Sequence, residues 1–338
     1  MKVDLRLDAG LTQVADRARE LVGLGADGLF TFEGPNDIFV PLTLAAATVR
    51  TDLMSNVAIA LPRSPLHLAH TAYDLQTLSG GRFRLGLGSQ VRPHIEKRYG
   101  AQWSEPVARM REIVLAIKAI FDAWEGRSPL RFRGRFSTHT LMPPMFDPGP
   151  NPYGPPEVCL GALGPRMTRA AAEVADGLLV MPFNSARHFR ERTLPAVADG
   201  LARAGRTSAD LRIYPQVIVG VGRTDEELAA AATGVRELLA FYGSTPAYRP
   251  VLEVEGWADL QPELNLLSKQ GARATMASLI DDTMLTTLAV HGTPEDCAAS
   301  ILDRFEAVAE RVCCYFPGYP VSNSHVADLI RALQGGAA

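Results

Sequence analysis

No stretch of this 338-residue sequence stays apolar for the roughly 18 residues that a membrane-spanning helix requires. Its first ten residues, MKVDLRLDAG, carry charges where a signal peptide needs an apolar core. A cytoplasmic protein without membrane contact is therefore expected. Cysteine is scarce: Cys159, Cys297, Cys313 and Cys314 are the only four. They form no CxxC pair, and the last two adjoin in a run that reads as a strand, so buried thiols in a reducing compartment are the simplest reading. HExxH is missing too. His67 and His70, at i and i+3 on one helix face, would need a further ligand to hold a metal, so no metal site is expected. Excess charge of one sign is also absent. A net charge of −3 offers nothing to attract nucleic acid or a membrane surface.

What the sequence does have is a 47% hydrophobic composition and a repeated alternation of short apolar runs with longer amphipathic ones. Strands are expected at residues 3–7, 28–32, 53–61, 82–87, 157–160, 177–181, 211–221 and 311–316. Helices fall between them, including 11–24, 66–78, 105–124, 165–174 and 186–204. Thr224 and Glu227 spell a capping box, and Thr293-Pro294 reads as an N-cap followed by a first-turn proline. Eight such units fit a (β/α)8 TIM barrel, a single α/β domain over residues 1–338. Two segments interrupt it. A Pro- and Gly-rich stretch, about 126–156, follows the fourth strand, and a less regular one, about 243–282, precedes the eighth. A doubly wound open sheet is the competitor. Against it, Gly86-Leu87-Gly88 lacks the third glycine of GxGxxG and sits in the fourth strand rather than the first.

TLSGGRFRLGLGSQ, residues 77–90, has glycines at both ends of one short strand. Ser79-Gly80-Gly81 suits a helix C-cap and turn. Gly86 and Gly88 bracket the upper end, where a missing side chain either lets a flat ring approach or relieves crowding inside the barrel. Gly161-Ala162-Leu163-Gly164-Pro165-Arg166 joins a strand to a helix. With Gly164 as N-cap and Pro165 first in the helix, free N–H groups and the positive helix end make an anion site, to which Arg166 and Arg169 could add charge. An ordinary strand–helix turn is the plainer alternative. Gly220-Val221-Gly222 is a second candidate, but the following capping box explains it without a ligand.

LSGGRFRLGLGSQ closely resembles the fourth-strand signature of the bacterial luciferase-like monooxygenase superfamily. The continuation QVRPHIEKRYGAQWSEPVARMREIVLAIKAIF resembles a branch grouped with enzymes dependent on coenzyme F420, a deazaflavin. PEVCLGALGPRMTRAAAEVADGLLV, HGTPEDCAASI and the hairpin-like RFRGRFSTH add further matches. The resemblance covers most of residues 1–335 and is weakest at 243–282. It implies a (β/α)8 barrel, a homodimer or larger homo-oligomer, and a hydride transfer between coenzyme F420 and a small organic substrate. The same fold also serves FMN-dependent monooxygenases, and a non-catalytic cofactor-binding barrel is the third reading.

The resemblance also implies a site. The cofactor phosphate would rest on Gly161, Ala162, Leu163 and Gly164, with Arg166 nearby. The ring would lie over Ala58, Ile59 and Ala60, with a non-proline cis peptide at Ala58–Ile59. Gly88, Ser89 and Gln90 would meet its edge. Dehydrogenases of the superfamily commonly place a histidine after strand two, but this chain has none before His67, and Gly34 stands at the expected position. A glutamate common after strand four in some members is replaced near Val91. Glu33, Asn36, Asp37 or His94 is then left to act as acid or base. Phe183, Asn184, Tyr315 and Phe316, at the ends of strands six and eight, are candidates for lining the cavity.

Overall fold

The computed structural model describes residues 1–335. Its strands are Lys2–Arg6 (β1), Gly28–Thr31 (β2), Asp52–Ser55 (β3), Ala58–Ile59 (β4), Phe83–Gly88 (β5), Phe132–Arg133 (β6), Thr138–His139 (β7), Glu157–Ala162 (β8), Gly177–Val180 (β9), Arg212–Val221 (β10), Val290–Gly292 (β11) and Arg311–Tyr315 (β12). Parallel pairing runs β1-β2-β3-β5-β8-β9-β10-β12 and returns to β1, a closed (β/α)8 barrel. Closure excludes the open sheet. β4 extends the third barrel strand beside β5, and β11 adds to the outer end of β10. His291 lies in β11, where its Nε2 sits 3.0 Å from Leu228 O. A three-residue strand carries too little periodicity to be seen in the sequence.

Strand alternation sorts the barrel lumen into layers. At the N-terminal ends, inward side chains form a chain of alternating charge. Arg311 pairs with both Asp4 and Asp52, Asp52 with Arg84 at 3.2 Å, Arg84 with Glu157 at 3.2 Å, and Glu157 with Arg212. Two residues further along the strands, Phe30, Met54, Cys159, Leu179, Tyr214 and Cys313 pack into an apolar layer. All four cysteines are buried free thiols.

On β5 the inward positions of this pattern are Gly86 and Gly88, and the reason is the neighbouring third strand. A Cβ on Gly86 would fall 1.9 Å from Ser55 O, and one on Gly88 would fall 2.4 Å from Val57 Cγ2. The glycines make room for a bulge between β3 and β4, so the crowding reading of the sequence holds at both positions. The cis peptide lies within that bulge, at Asn56–Val57 rather than Ala58–Ile59. Ala58 and Ile59 instead pair regularly with Leu87 and Gly88. At the other end of the segment, Gly80 and Gly81 turn the chain at φ 67° and 82°, with Gly81 N–H donating to Gln76 O.

Residues 243–282 are helical where irregular chain was expected: Arg249–Val254, Leu260–Gln270 and Arg273–Ser278, followed by Asp282–Leu288. Pro246, Pro250, Gly256 and Gly271 interrupt the apolar pattern, yet Val251, Leu252, Leu264 and Met276 bury against Phe183 and the helix Asp225–Gly243. The capping box at Thr224 and the Thr293 N-cap form as the sequence suggests, and Asp296 completes a second box at Thr293. His70 packs its ring 4.7 Å from Trp124, a structural role.

Gly86→Ala is expected to destabilise the protein by about 3 kcal/mol, the upper end for overpacking. Gly164→Ala, where a Cβ meets nothing within 4 Å, should stay within about 0.5 kcal/mol of the parent. Urea unfolding of the two variants checks both. A second expectation concerns pH. His188 is 1% exposed, its Nδ1 is 2.8 Å from Asn184 Oδ1, and burial pushes its imidazole down to about 4. The folded ring stays neutral while the unfolded one takes up a proton below its ordinary value near 6.5. Between pH 6.5 and 4, stability should thus fall with falling pH, by at most about 1.4 kcal/mol per unit from this group. Unfolding of His188→Gln over that range should show a flatter profile than the parent; parallel profiles would contradict the assignment.

Candidate functional site

The C-terminal ends of the strands open into a cleft with two connected halves. Val57, Ile59, Gln90, Met181 and Gln216 line both, so they form a common wall. The larger half, about 330 Å3, reaches from Gly88, Ser89 and Val91 across to Gly161, Ala162, Leu163, Gly164 and Met167, and is covered by Ala247 and Tyr248. The smaller half, about 160 Å3, lies over Phe30, Phe32, Asn56, Tyr242 and Tyr315. By strand alternation, Phe32, Asn56, Met181, Gln216 and Tyr315 are the inward positions directly above the apolar layer.

β8 ends at Ala162 and the next helix, Pro165–Val174, starts from Gly164 as N-cap with Pro165 in its first turn. Thr168 N–H makes the first helical bond, to Gly164 O at 3.0 Å, so the N–H groups of Arg166 and Met167 precede the helical ladder. Nothing lies within 4 Å of a Cβ position on Gly164. Open space in front of a helix N-terminus on a cleft wall suits a phosphate or carboxylate. Arg169 is engaged elsewhere, with Asp199.

The loop after β2 builds a clamp rather than a free acid. Glu33 has a side chain only 7% exposed and lines the smaller half. Its Oε2 accepts from Ile59 N–H at 2.8 Å and from Arg63 Nη1 at 2.6 Å, and its Oε1 accepts from Tyr99 Oη at 2.9 Å. Arg63 also donates to Ile59 O at 2.8 Å. One carboxylate thereby fixes β4 and the segment after β5 in relation to β2.

Of the four expected acid or base residues, only Glu33 faces the cleft. Asn36 and Asp37 are exposed, and neither lines the cleft; Asp37 caps the helix Phe39–Ala46 by accepting from Phe39 N–H at 2.8 Å. His94 is exposed on the short helix Arg92–Lys97. Of the expected cofactor contacts, Ile59, Gly88, Ser89, Gln90, Gly161, Ala162, Leu163 and Gly164 line one wall together. Ala58 and Ala60 are wholly buried and do not line the cleft, because alternation turns them away from Ile59. Arg166 is exposed beside the loop. Tyr315 lines the smaller half, whereas Phe183 belongs to the core under the helical insertion.

Sequence reasoning missed Val57, Met181, Gln216, Tyr242 and Tyr248. Their spacing carries no signal, although the alternation Tyr214, Gln216 along a strand could have marked Gln216 as inward. Gln90 adopts a left-handed φ of 58°, which a non-glycine residue rarely does, and its Oε1 folds back on Val91 N–H at 3.0 Å. Asn56 is 4% exposed, and neither its Oδ1 nor its Nδ2 has a partner. Buried amides are nearly always paired, so this one is available to a bound molecule. Burial raises the Tyr242 and Tyr248 hydroxyls. At neutral pH they can hold a proton at Oη but not accept one. An open helix N-terminus, one unpaired amide and apolar wall residues together fit a flat ring with a phosphate arm.

Residues 3–311 match the family described as luciferase-like monooxygenase. An uncharacterized protein of Mycobacterium tuberculosis is 47% identical to this chain, over 94% of the chain and 93% of its own length. The 5,10-methylenetetrahydromethanopterin reductase of Archaeoglobus fulgidus is 28% identical over 83% of this chain and 82% of its own. A solved structure, the coenzyme F420 dependent tetrahydromethanopterin reductase from Methanopyrus kandleri, superposes with a TM-score of 0.78 at 20% identity. It covers 98% of this chain and 96% of its own, and the likeness is one of fold.

Replacing the clamp carboxylate, Glu33→Ala, leaves Arg63 and Ile59 N–H without their partner. Unfolding in urea should show a loss on the order of 3 kcal/mol, the cost of breaking a buried pair. A loss below about 0.5 kcal/mol, ordinary for a surface residue, would mean that Glu33 is not a clamp.

Proposed function

Because the chain belongs to the luciferase-like monooxygenase family, we propose that it is an oxidoreductase that binds coenzyme F420 and exchanges a hydride with a small organic substrate. The observation that carries this reading is that the helix N-terminus at Gly164, the bulge residue Val57 and Ile59 of β4 face one cleft. When bound, the deazaflavin gives or takes a hydride at its C5 position. The chain's own residues bind and orient. Residues 161–164 and the N–H groups of Arg166 and Met167 hold the phosphate. Val57 and Ile59 support the ring, and Ser89, Gln90 and Gln216 offer polar edges to it.

The smaller half, beside the common wall, takes the substrate. Tyr242 Oη holds a proton there, and Glu33 keeps β4 in place without leaving the clamp. Tyr248, from the helical insertion, helps to exclude water from above. The deazaflavin is favoured over FMN by the resemblance of residues 90–121 to the F420-dependent branch and by a relative from Mycobacterium tuberculosis, 28% identical over 86% of this chain, named a putative coenzyme F420-dependent oxidoreductase. A homodimer or larger homo-oligomer belongs to the same reading and rests on the family resemblance, while a cytoplasmic location is supported by the four buried free thiols.

Titration of the cofactor-free protein with coenzyme F420 and with FMN tests the proposal. Coenzyme F420 should bind at least tenfold more tightly. Gly164→Glu, which places a carboxylate in the open space before the helix, should weaken that binding at least tenfold while the protein stays folded. Tighter binding of FMN, binding of neither, or full binding by the variant would overturn the reading.

A further inference from the structure

Arg6 ends β1 two residues beyond Asp4, which is buried in the lumen against Arg311. Strand alternation therefore turns Arg6 inward as well, into the layer that carries the cleft. Its guanidinium carbon lies 4.7 Å from the centre of the Phe32 ring and 5.1 Å from that of Tyr315. Both rings line the smaller half of the cleft. The other inward arginines, Arg84, Arg212 and Arg311, are each paired with carboxylates. Arg63, beside the cleft, is paired with Glu33. Among the described residues, Arg6 has neither a carboxylate nor a carbonyl partner.

Two aromatic faces hold a guanidinium in place but leave its in-plane N–H donors unused. An inward-facing arginine ordinarily has those donors satisfied. The surrounding wall repeats the imbalance. Asn56 has a buried, unpartnered amide, and Tyr242 and Tyr315 bring hydroxyl groups. Glu33 is the one carboxylate lining this half, and Arg63 already neutralises it. The edge of this half thus carries a surplus of donors and, against the Phe32 and Tyr315 rings, one half-buried positive charge without a carboxylate partner.

We propose that Arg6 anchors the substrate, and that the smaller half of the cleft is a subsite for a planar organic carboxylate. This deepens the preceding reading and rests on it for the presence of a substrate in this half. The guanidinium fork matches a carboxylate in two parallel hydrogen bonds, which fixes direction as well as position. Phe32 and Tyr315 hold the fork, and Asn56 supplies a further donor on the same wall. A carboxylate held here leaves the rest of a flat molecule lying along Val57 and Met181, toward the larger half. Arg6 is in this account a specificity-determining residue whose charge selects acids over their neutral analogues.

Benzoate and benzamide, flat molecules of nearly equal shape, are the probes, titrated into the full-length, cofactor-free protein and followed by ligand-observed nuclear magnetic resonance. Benzoate should bind at least tenfold more tightly than benzamide. Arg6→Gln should abolish the preference, weakening benzoate at least tenfold more than benzamide. Arg6→Lys keeps the charge without the fork and should retain only part of it, so it carries the test if the glutamine variant does not fold. Gly164→Glu should leave the preference intact. Equal binding of the two probes, a preference that survives in the folded Arg6→Gln protein or unreduced in Arg6→Lys, or its loss in Gly164→Glu would overturn the proposal. Neither probe needs the cofactor, so failure here leaves the deazaflavin titration standing, and failure of that titration leaves this result readable.

Discussion

Ser55 O occupies the place where a side chain of residue 86 would begin. That close approach is the constraint from which the site follows. A barrel strand normally fills its share of the lumen with side chains. Here β5 gives up two of them, at Gly86 and Gly88, and the third strand bulges into the space. The bulge sends Val57 into the cleft and presents Ile59 N–H to the Glu33 carboxylate. Gly161 on β8 continues the same relief, since a Cβ there would lie 3.1 Å from Val57 Cγ1. The wall along β4, β5 and β8 is therefore backbone and short side chains, held by one buried carboxylate rather than by bulk.

The two ends of the barrel treat charge differently. At the N-terminal end, Asp4, Arg311, Asp52, Arg84, Glu157 and Arg212 satisfy one another, and nothing is left over. At the C-terminal end, the Asn56 amide is unpaired, Gln90 sits in a left-handed conformation, and Arg6 rests between two aromatic rings. Groups left unsatisfied inside a folded protein cost stability, and they persist where a ligand completes them. The asymmetry fits the rule that barrel chemistry resides where the strands end.

Local signals in the sequence carried the architecture a long way. Apolar runs bounded by caps and turns placed every barrel strand, and the Gly164-Pro165 pair marked the N-terminus of the helix on the cleft wall. Signals that depend on closure did not survive. Gln216, Met181 and Tyr242 meet only because the ring closes, and no spacing announces it. Asp37 looked like a candidate acid because it follows a strand, but in that place a helix cap has the same residue type. Arg6 was legible in principle. Asp4 and Arg6 alternate with Val3 and Leu5, a polar face turned toward a lumen, yet a short N-terminal strand with charges reads equally well as an edge. The helices of residues 249–278 were hidden by prolines and glycines that divide them into pieces too short for periodicity.

The central claim is that one wall, from the bulge at Val57 to the helix N-terminus at Gly164, receives the cofactor. A crystal structure of the protein with coenzyme F420 tests it most directly. The account predicts the deazaflavin ring against Val57 and Ile59, with its phosphate within hydrogen-bond distance of the Arg166 and Met167 N–H groups. Density for the phosphate at the opposite end of the barrel, among Lys2, Arg84 and Arg212, would contradict it.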